Sequence, residues 1–342
     1  PLQFSITKHP SFMKKFTFLG LLMCLVFPVF AQLNCVLQSQ TTYTPRLNDV
    51  WAYSSGGSEY ALVGLRTGVN ILDITDPANP VDKGTATGPT STWRDIKTYG
   101  DYAYVINENS GGLLIIDLSG LPTAITSSDW SYWEPNIPAL GGPITQCHNI
   151  FIDGNGYGYL VGCDRNSGGP IYLDLFTTPG TPIYVDKGPN TYAHDVYVEN
   201  NKMYTSDIYN GEFSIYDVSN KASTVFEGSQ TTPDDFTHNT WTDGAGTIFT
   251  TDEVSNASTA AYDISDPTDI VLLDEFRPLA TINTGVVPHN VHVINGYLVI
   301  SHYSDGVIIV DASVPENLIE VGNYDTCSGN CSGAWGAYPF LA

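Results

Sequence analysis

The sequence predicts an all-β fold, a seven-bladed β-propeller of four-stranded blades, on three observations. An apolar run closing on aspartate returns six times: VNILDI (69–74), LLIIDL (113–118), PIYLDL (170–175), FSIYDV (213–218), TAAYDI (259–264) and VIIVDA (307–312). Its aspartates, at 73, 117, 174, 217, 263 and 311, are spaced 44, 57, 43, 46 and 48 residues apart. A period in the forties built from short strand-like runs belongs to toroidal arrays. A polar pair opens each repeat, and its second member stands 21 to 25 residues before the aspartate, too regular for a sandwich.

Each repeat reads as four strands. The first starts at the polar pair and then alternates: NDVWAY, RDIKTY, HNIFID, HDVYVE, HNTWTD and HNVHVI. A turn rich in Gly, Asn or Asp leads to the second: YALVGL, YAYVIN, YGYLVG, KMYTSD, TIFTTD and YLVISH. The Asp-terminated run is the third, its aromatic and branched residues suiting a pleated, half-buried surface. The fourth varies, as in PIYVDKG and IVLLDEF. Residues 36–45 resemble the fourth strand at 225–233, and Thr42 and Thr232 each precede a polar pair by six residues. Gly333 to Tyr338 read as the start of another first strand. These ends predict a seventh blade split between 35–45 and 333–342, closing the ring and lacking about twenty residues by the repeat spacing.

The chain has 342 residues, which one repeat domain over 32–342 absorbs. Its formal charge of −23 with no Lys/Arg cluster excludes a nucleic-acid partner, leaving a protein or glycan partner as the expectation. Residues 1–12 precede a start-like Met13 and read as an upstream translation artefact. Met13-Lys14-Lys15, an apolar stretch and Val29-Phe30-Ala31 read as a signal peptide over 13–31. Export to the cell surface, periplasm or medium follows, with no membrane-spanning segment in the mature chain. Cys147 and Cys163 lie equally far from the centre of the turn Asp153-Gly154-Asn155-Gly156, so a hairpin would set them face to face as a disulfide. Cys327 and Cys331 pair, or one of them takes Cys35.

The stretch NDVWAY…EYALVGLRTGVNILDITDPANPVDKG, with STWRDIKTYGDYAYVINE, PHNVHV…GYLVISHYSDGVIIVD and GAWGAYPF, resembles the LVIVD-repeat, choice-of-anchor B family of exported proteins. The resemblance covers about 35–342. It implies a propeller outside the cytoplasm, with a C-terminal anchor or sorting domain beyond the last residue, and implies no established activity.

The polar pairs are the first place to seek chemistry: Asn48-Asp49, Arg94-Asp95, His148-Asn149, His194-Asp195, His238-Asn239 and His289-Asn290. Equivalent positions converge at one channel mouth, so four blades would bring their histidines together there. Antiparallel pairing sets the end of the second strand beside them, adding Asn107, Glu108, Asp164, Asp207, Asp252, Glu253 and His302. From these, His148, His194, His238, His289 and His302 with Asp207 and Asp252 form the candidate metal set, suited to zinc, copper, iron or manganese; carboxylates alone would suit calcium. Structural hydrogen bonding to the neighbouring blade is the competing role for every pair. Residues 127–146 read as an insertion opening on the same mouth, with Trp130, Tyr132 and Trp133, and with Arg94 and Asp95, as candidate ligand contacts. The repeated aspartates read as turn anchors. No nucleophile elbow, phosphate loop, His-Glu-x-x-His or Cys-x-x-Cys occurs. The expected function is an interaction scaffold, with a metal-dependent oxidoreductase or hydrolase as the alternative.

Overall fold

A computed structural model describes residues 32–44, 46–326 and 333–341. The expected signal peptide and the expected pairing of Cys327 and Cys331 fall outside the described residues. Among the described residues, twenty-four strands form six four-stranded antiparallel sheets, each a meander in sequence order. The sheets span 47–87, 94–133, 149–187, 195–231, 237–276 and 290–324, and these are blades one to six. No α-helix is present among them, only two 3₁₀ turns.

Six blades replace the seven expected from the repeat. Among the described residues no strands lie beside 33–44 and 333–341 to make a sheet of them, and each meets the propeller through one isolated bridge, Leu33–Asn323 and Tyr303–Ala334. Instead they fill the seam between blades six and one. At the outside, Asn34 donates to Val321 O, Ser39 to Pro77 O and Tyr43 to Asn70. At the inside, Trp335 O accepts from Ser301, and Tyr338 packs edge-on to Trp51 at 4.6 Å. Gly333 permits this entry: its φ is +70°, and a Cβ there would lie 1.6 Å from Tyr303 O.

Local sequence explains the hairpins. Gly56-Gly57, Asn200-Asn201 and Asn295-Gly296 each join first and second strands as two-residue loops with both φ positive, as the type I′ turn requires. The core lies between blades rather than at a single centre. Tyr104, Ile106 and Leu113 of blade two pack with Ile150, Leu160 and Leu173 of blade three, and the same pattern joins blades one and two.

The six repeated aspartates act identically. Asp73, Asp117, Asp174, Asp217, Asp263 and Asp311 each accept the backbone N–H two residues on, at 2.8–3.1 Å. These are Asx turns; the hydroxyls of Thr75, Ser219, Ser265 and Ser313, and then those backbone N–H groups, hold the carboxyls of Asp73, Asp263 and Asp311 below the ordinary range and that of Asp217 at about 2.

Cys147 and Cys163 form the expected disulfide. In blade three Asn149 opposes Val161 and Ile150 opposes Leu160, a register that carries on to 147 opposite 163. The bond closes a sixteen-residue separation. Its removal by Cys147→Ala/Cys163→Ala is expected to lower unfolding stability by about 3 kcal/mol, read by urea titration in air-oxidised protein.

Candidate metal centre

The six inner strands are Leu47–Ser55, Arg94–Tyr99, Asn149–Ile152, Asp195–Glu199, Thr237–Thr242 and Asn290–Ile294. They place the two members of each polar pair in different roles, because successive side chains leave a strand on opposite sides. The second member stitches blade to blade. Asp49 accepts from Ile96 N, Asp95 from Ile150 N, Asn149 from Val196 N and Asn239 from Val291 N, always one residue past the next blade's equivalent position. Asn149 and Asn239 also donate their amides back to Asp95 and Asp195. The structural role expected for the pair thus falls to this member.

The first member faces the channel mouth in four blades. His148, His194, His238 and His289 follow one another with ring centroids 3.8, 4.4 and 4.3 Å apart. Their Nδ1 atoms are occupied or faced by fixed acceptors. His148 Nδ1 donates to Glu108, and His194 Nδ1 lies 3.4 Å from Asp195. His238 Nδ1 donates to His289 O at 3.0 Å, and His289 Nδ1 to Trp335 O at 2.6 Å. That leaves the Nε2 atoms for the channel, the arrangement in which histidine binds metals. Ligand atoms of His148, His194 and His238 lie within 4.8 Å of one another, and so do those of His238, Glu253 and His289. The two triads share His238. Gly162 makes room for the first: a Cβ there would come within 2.4 Å of the His148 Cβ.

The charges follow from burial and neighbours. Burial lowers His238 well below the ordinary imidazole range, helped by His289 and His194, and lowers His289 to about 4. Both therefore stand neutral near pH 7, with a lone pair free for a cation. Burial pulls His148 down too, but the Glu108 hydrogen bond and the charges of Asp195 and Asp95 outweigh it and raise it. Burial pushes Asp195 up, yet His194, His238 and His148 outweigh that and hold its carboxyl far below the usual range. The cavity the histidines border has a volume of about 70 Å³, enough for an ion and a few waters.

Other expected site residues lie elsewhere. Asp207 accepts the Ser214 hydroxyl at 2.6 Å, and Asp252 accepts from Thr232, Asp234 N and Phe236 N. Asp207 is spent within its own blade and Asp252 on the connector that leads into its blade, and neither lines the histidine cavity. The residue after Asp252, Glu253, is on the opposite face and does line it: Glu253 Oε2 lies 3.6 Å from His238 Nε2, and Tyr303 donates to its other oxygen. His302 is buried beside Asp305 at 3.1 Å, away from the four histidines' cavity.

The ligand contacts expected in an insertion are corrected in the same way. Trp130, Tyr132 and Trp133 belong to the outermost strand of blade two, Trp130–Trp133, opposite Ile116, Leu114 and Leu113. They are a fourth strand, not a loop at the mouth, and none lines the histidine cavity. The true insertion starts after Trp133, and its Ile137 and Ile144 pack into the core between blades two and three. Arg94 borders the cavity and turns Nε and Nη2 onto Leu65 O, Arg66 O and Pro89 O, leaving Nη1 without a partner among the described residues, while Asp95 pairs with Lys97. Sequence reasoning missed Trp51, Phe151, Trp241 and His292 along the channel. Their signal was a constant offset of three from the first member of each pair.

Six radial four-stranded meanders around a channel define a β-propeller. The chain carries LVIVD repeats, whose family model matches residues 48–87, 92–126, 191–232 and 288–326. No curated protein matches the sequence. Solved structures with a similar fold include a "putative 6-phosphogluconolactonase" from Bacteroides uniformis, 10% identical, with a TM-score of 0.62 over 84% of this chain and 89% of that one. Virginiamycin B lyase from Staphylococcus aureus is 10% identical, with a TM-score of 0.60 over 90% of this chain and 92% of that one. The β-propeller domain of Cps50 (Swd1) from Myceliophteria thermophila is 10% identical, with a TM-score of 0.52 over 82% and 91%. At such identities the likeness is one of fold alone. Among the described residues no helix is long and apolar enough to cross a membrane.

Proposed function

We propose that this propeller is an exported metal-binding protein that holds one divalent transition-metal ion at its channel mouth. The ligands are Nε2 of His148, His194 and His238, with His289 and Glu253 alongside. The observation that carries this reading is the convergence of four consecutive imidazoles, three of them held through Nδ1 by their own acceptors, with His194 Nδ1 facing Asp195 at 3.4 Å. Packing alone, as a scaffold requires, needs no such arrangement. The nitrogen-rich set suits zinc, copper, nickel or iron and disfavours calcium, since Asp207 and Asp252 are engaged elsewhere, by Ser214 and by the 232–236 connector. His238 has one free nitrogen, so the two triads compete for it and the mouth takes one ion. A metal-dependent reaction fits this centre: three protein ligands leave coordination positions open, and Glu253 stands beside them as a base for a bound water. The Cys147–Cys163 disulfide supports export, since such bonds persist outside the cytoplasm.

Metal analysis of untagged protein tests the reading. One equivalent of bound metal is expected, falling below about a tenth in His194→Ala/His238→Ala with the fold intact. Protein that takes up no metal after loading with zinc, copper and iron would end it.

A further inference from the structure

The channel contains a second space that the metal reading does not use. Three residues after the first member of the pairs stand Trp51, Lys97, Phe151, Tyr197, Trp241 and His292, and Tyr338 keeps the same offset from Trp335. At the rise of a strand this tier lies about 10 Å further along the channel than the histidines. There a chamber of about 210 Å³ opens, walled mainly by Trp51, Phe151, Trp241, Tyr338 and Phe340. It shares Trp51, Lys97, Phe151 and Trp241 with the histidine cavity, so the two spaces adjoin.

The walls offer rings in several orientations. Tyr338 meets Trp51 edge-on at 4.6 Å, Phe151 meets Trp241 edge-on at 5.8 Å, and Phe340 stacks on Trp241 at 5.5 Å and 20°. Two of the polar groups nearby are already engaged. Trp51 Nε1 donates to Thr98 at 3.2 Å, and the Lys97 ammonium is paired with Asp95 while lying 4.3 Å from the Trp51 ring centre. A cation would meet Lys97, and an anion would enter a chain of net charge −23 with Lys97 already neutralised. A sugar would find few partners for its hydroxyls. The space opens to solvent between half-buried rings, so a flat apolar molecule can enter and cover them.

We infer that this chamber is a binding site for a small uncharged aromatic molecule of one or two fused rings, stacked among Trp51, Phe151 and Trp241. The site stands independently of the metal centre, because its walls contain none of the four histidines.

The test is calorimetric titration of indole into the whole protein in EDTA, which removes any dependence on metal. Saturable binding at one equivalent is expected. It should weaken at least tenfold in Trp241→Ala and vanish in Ile152→Trp, which fills the chamber from its edge. Methyl glucoside and tetramethylammonium should bind at least tenfold more weakly than indole. Thermal melts identify a variant that has not folded; the wild-type ligand series then decides alone. No indole binding, unchanged binding in both folded variants, or preference for the sugar or the cation would each overturn the inference.

Discussion

Asp95→Ala is expected to destabilise the propeller by about 3–5 kcal/mol, the cost of stripping a buried charge of its partner. Asp95 is 8% exposed and collects four donors: Ile96 N, Ile150 N, the Asn149 amide and the Lys97 ammonium. Two of these belong to the next blade, so the carboxylate is the stitch between blades two and three. Without it Lys97, also 8% exposed, remains charged among Trp51 and Asp49. One offset is expected, since burial and then the Asp95 charge push the Asp49 carboxyl up, and losing Asp95 relieves it. Asp95→Ala/Lys97→Met should therefore recover part of the loss in a double-mutant cycle. Urea unfolding of the four proteins checks this; a single-mutant cost below about 1 kcal/mol would show that the stitch contributes little.

Acidification gives the second large effect. Burial holds the His292 imidazole at about 3, with the Lys97 charge adding to it, and His289 at about 4. An unfolded histidine titrates near 6.5, so both folded values are depressed. Depressed groups contribute stability that is present above the unfolded value and lost as pH falls toward the folded one. The window is therefore about pH 6.5 down to 3, and His292 alone should cost about 3 kcal/mol by pH 4. His148 works in the opposite direction, because it is raised and gains from its charged form. Unfolding in EDTA at pH 7 and pH 4 measures the loss. His292→Phe should flatten that slope, its ring joining Trp51, Trp241 and Phe340 without a proton to bind.

How much of this was legible in the sequence depends on what alternation hides. The repeated aspartate was readable because its role is local: its side chain reaches the backbone two residues on in all six blades. The polar pair was visible as a unit, but its two members face different ways, and only the fold separates the stitching Asp95 and Asn149 from the converging His148 and His194. A shift of one residue also exchanged Asp252 for Glu253, since neighbouring side chains on a strand take opposite faces. The blade count failed for a different reason. Residues 35–45 and 333–342 resemble outer and inner strands, but strand-like sequence becomes a sheet only with partners beside it, and among the described residues neither segment joins a sheet. Trp130 and Trp133 misled because the outermost strand varies most between repeats, so its alternation was mistaken for a loop.

The proposed centre rests on His148, His194 and His238 presenting Nε2 to one ion. X-ray absorption at the zinc edge of protein loaded with a single equivalent measures that directly. Three imidazole nitrogens at about 2.0–2.1 Å are predicted, reduced in His194→Ala. A shell of oxygens without imidazole scattering, unchanged in that variant, would contradict it.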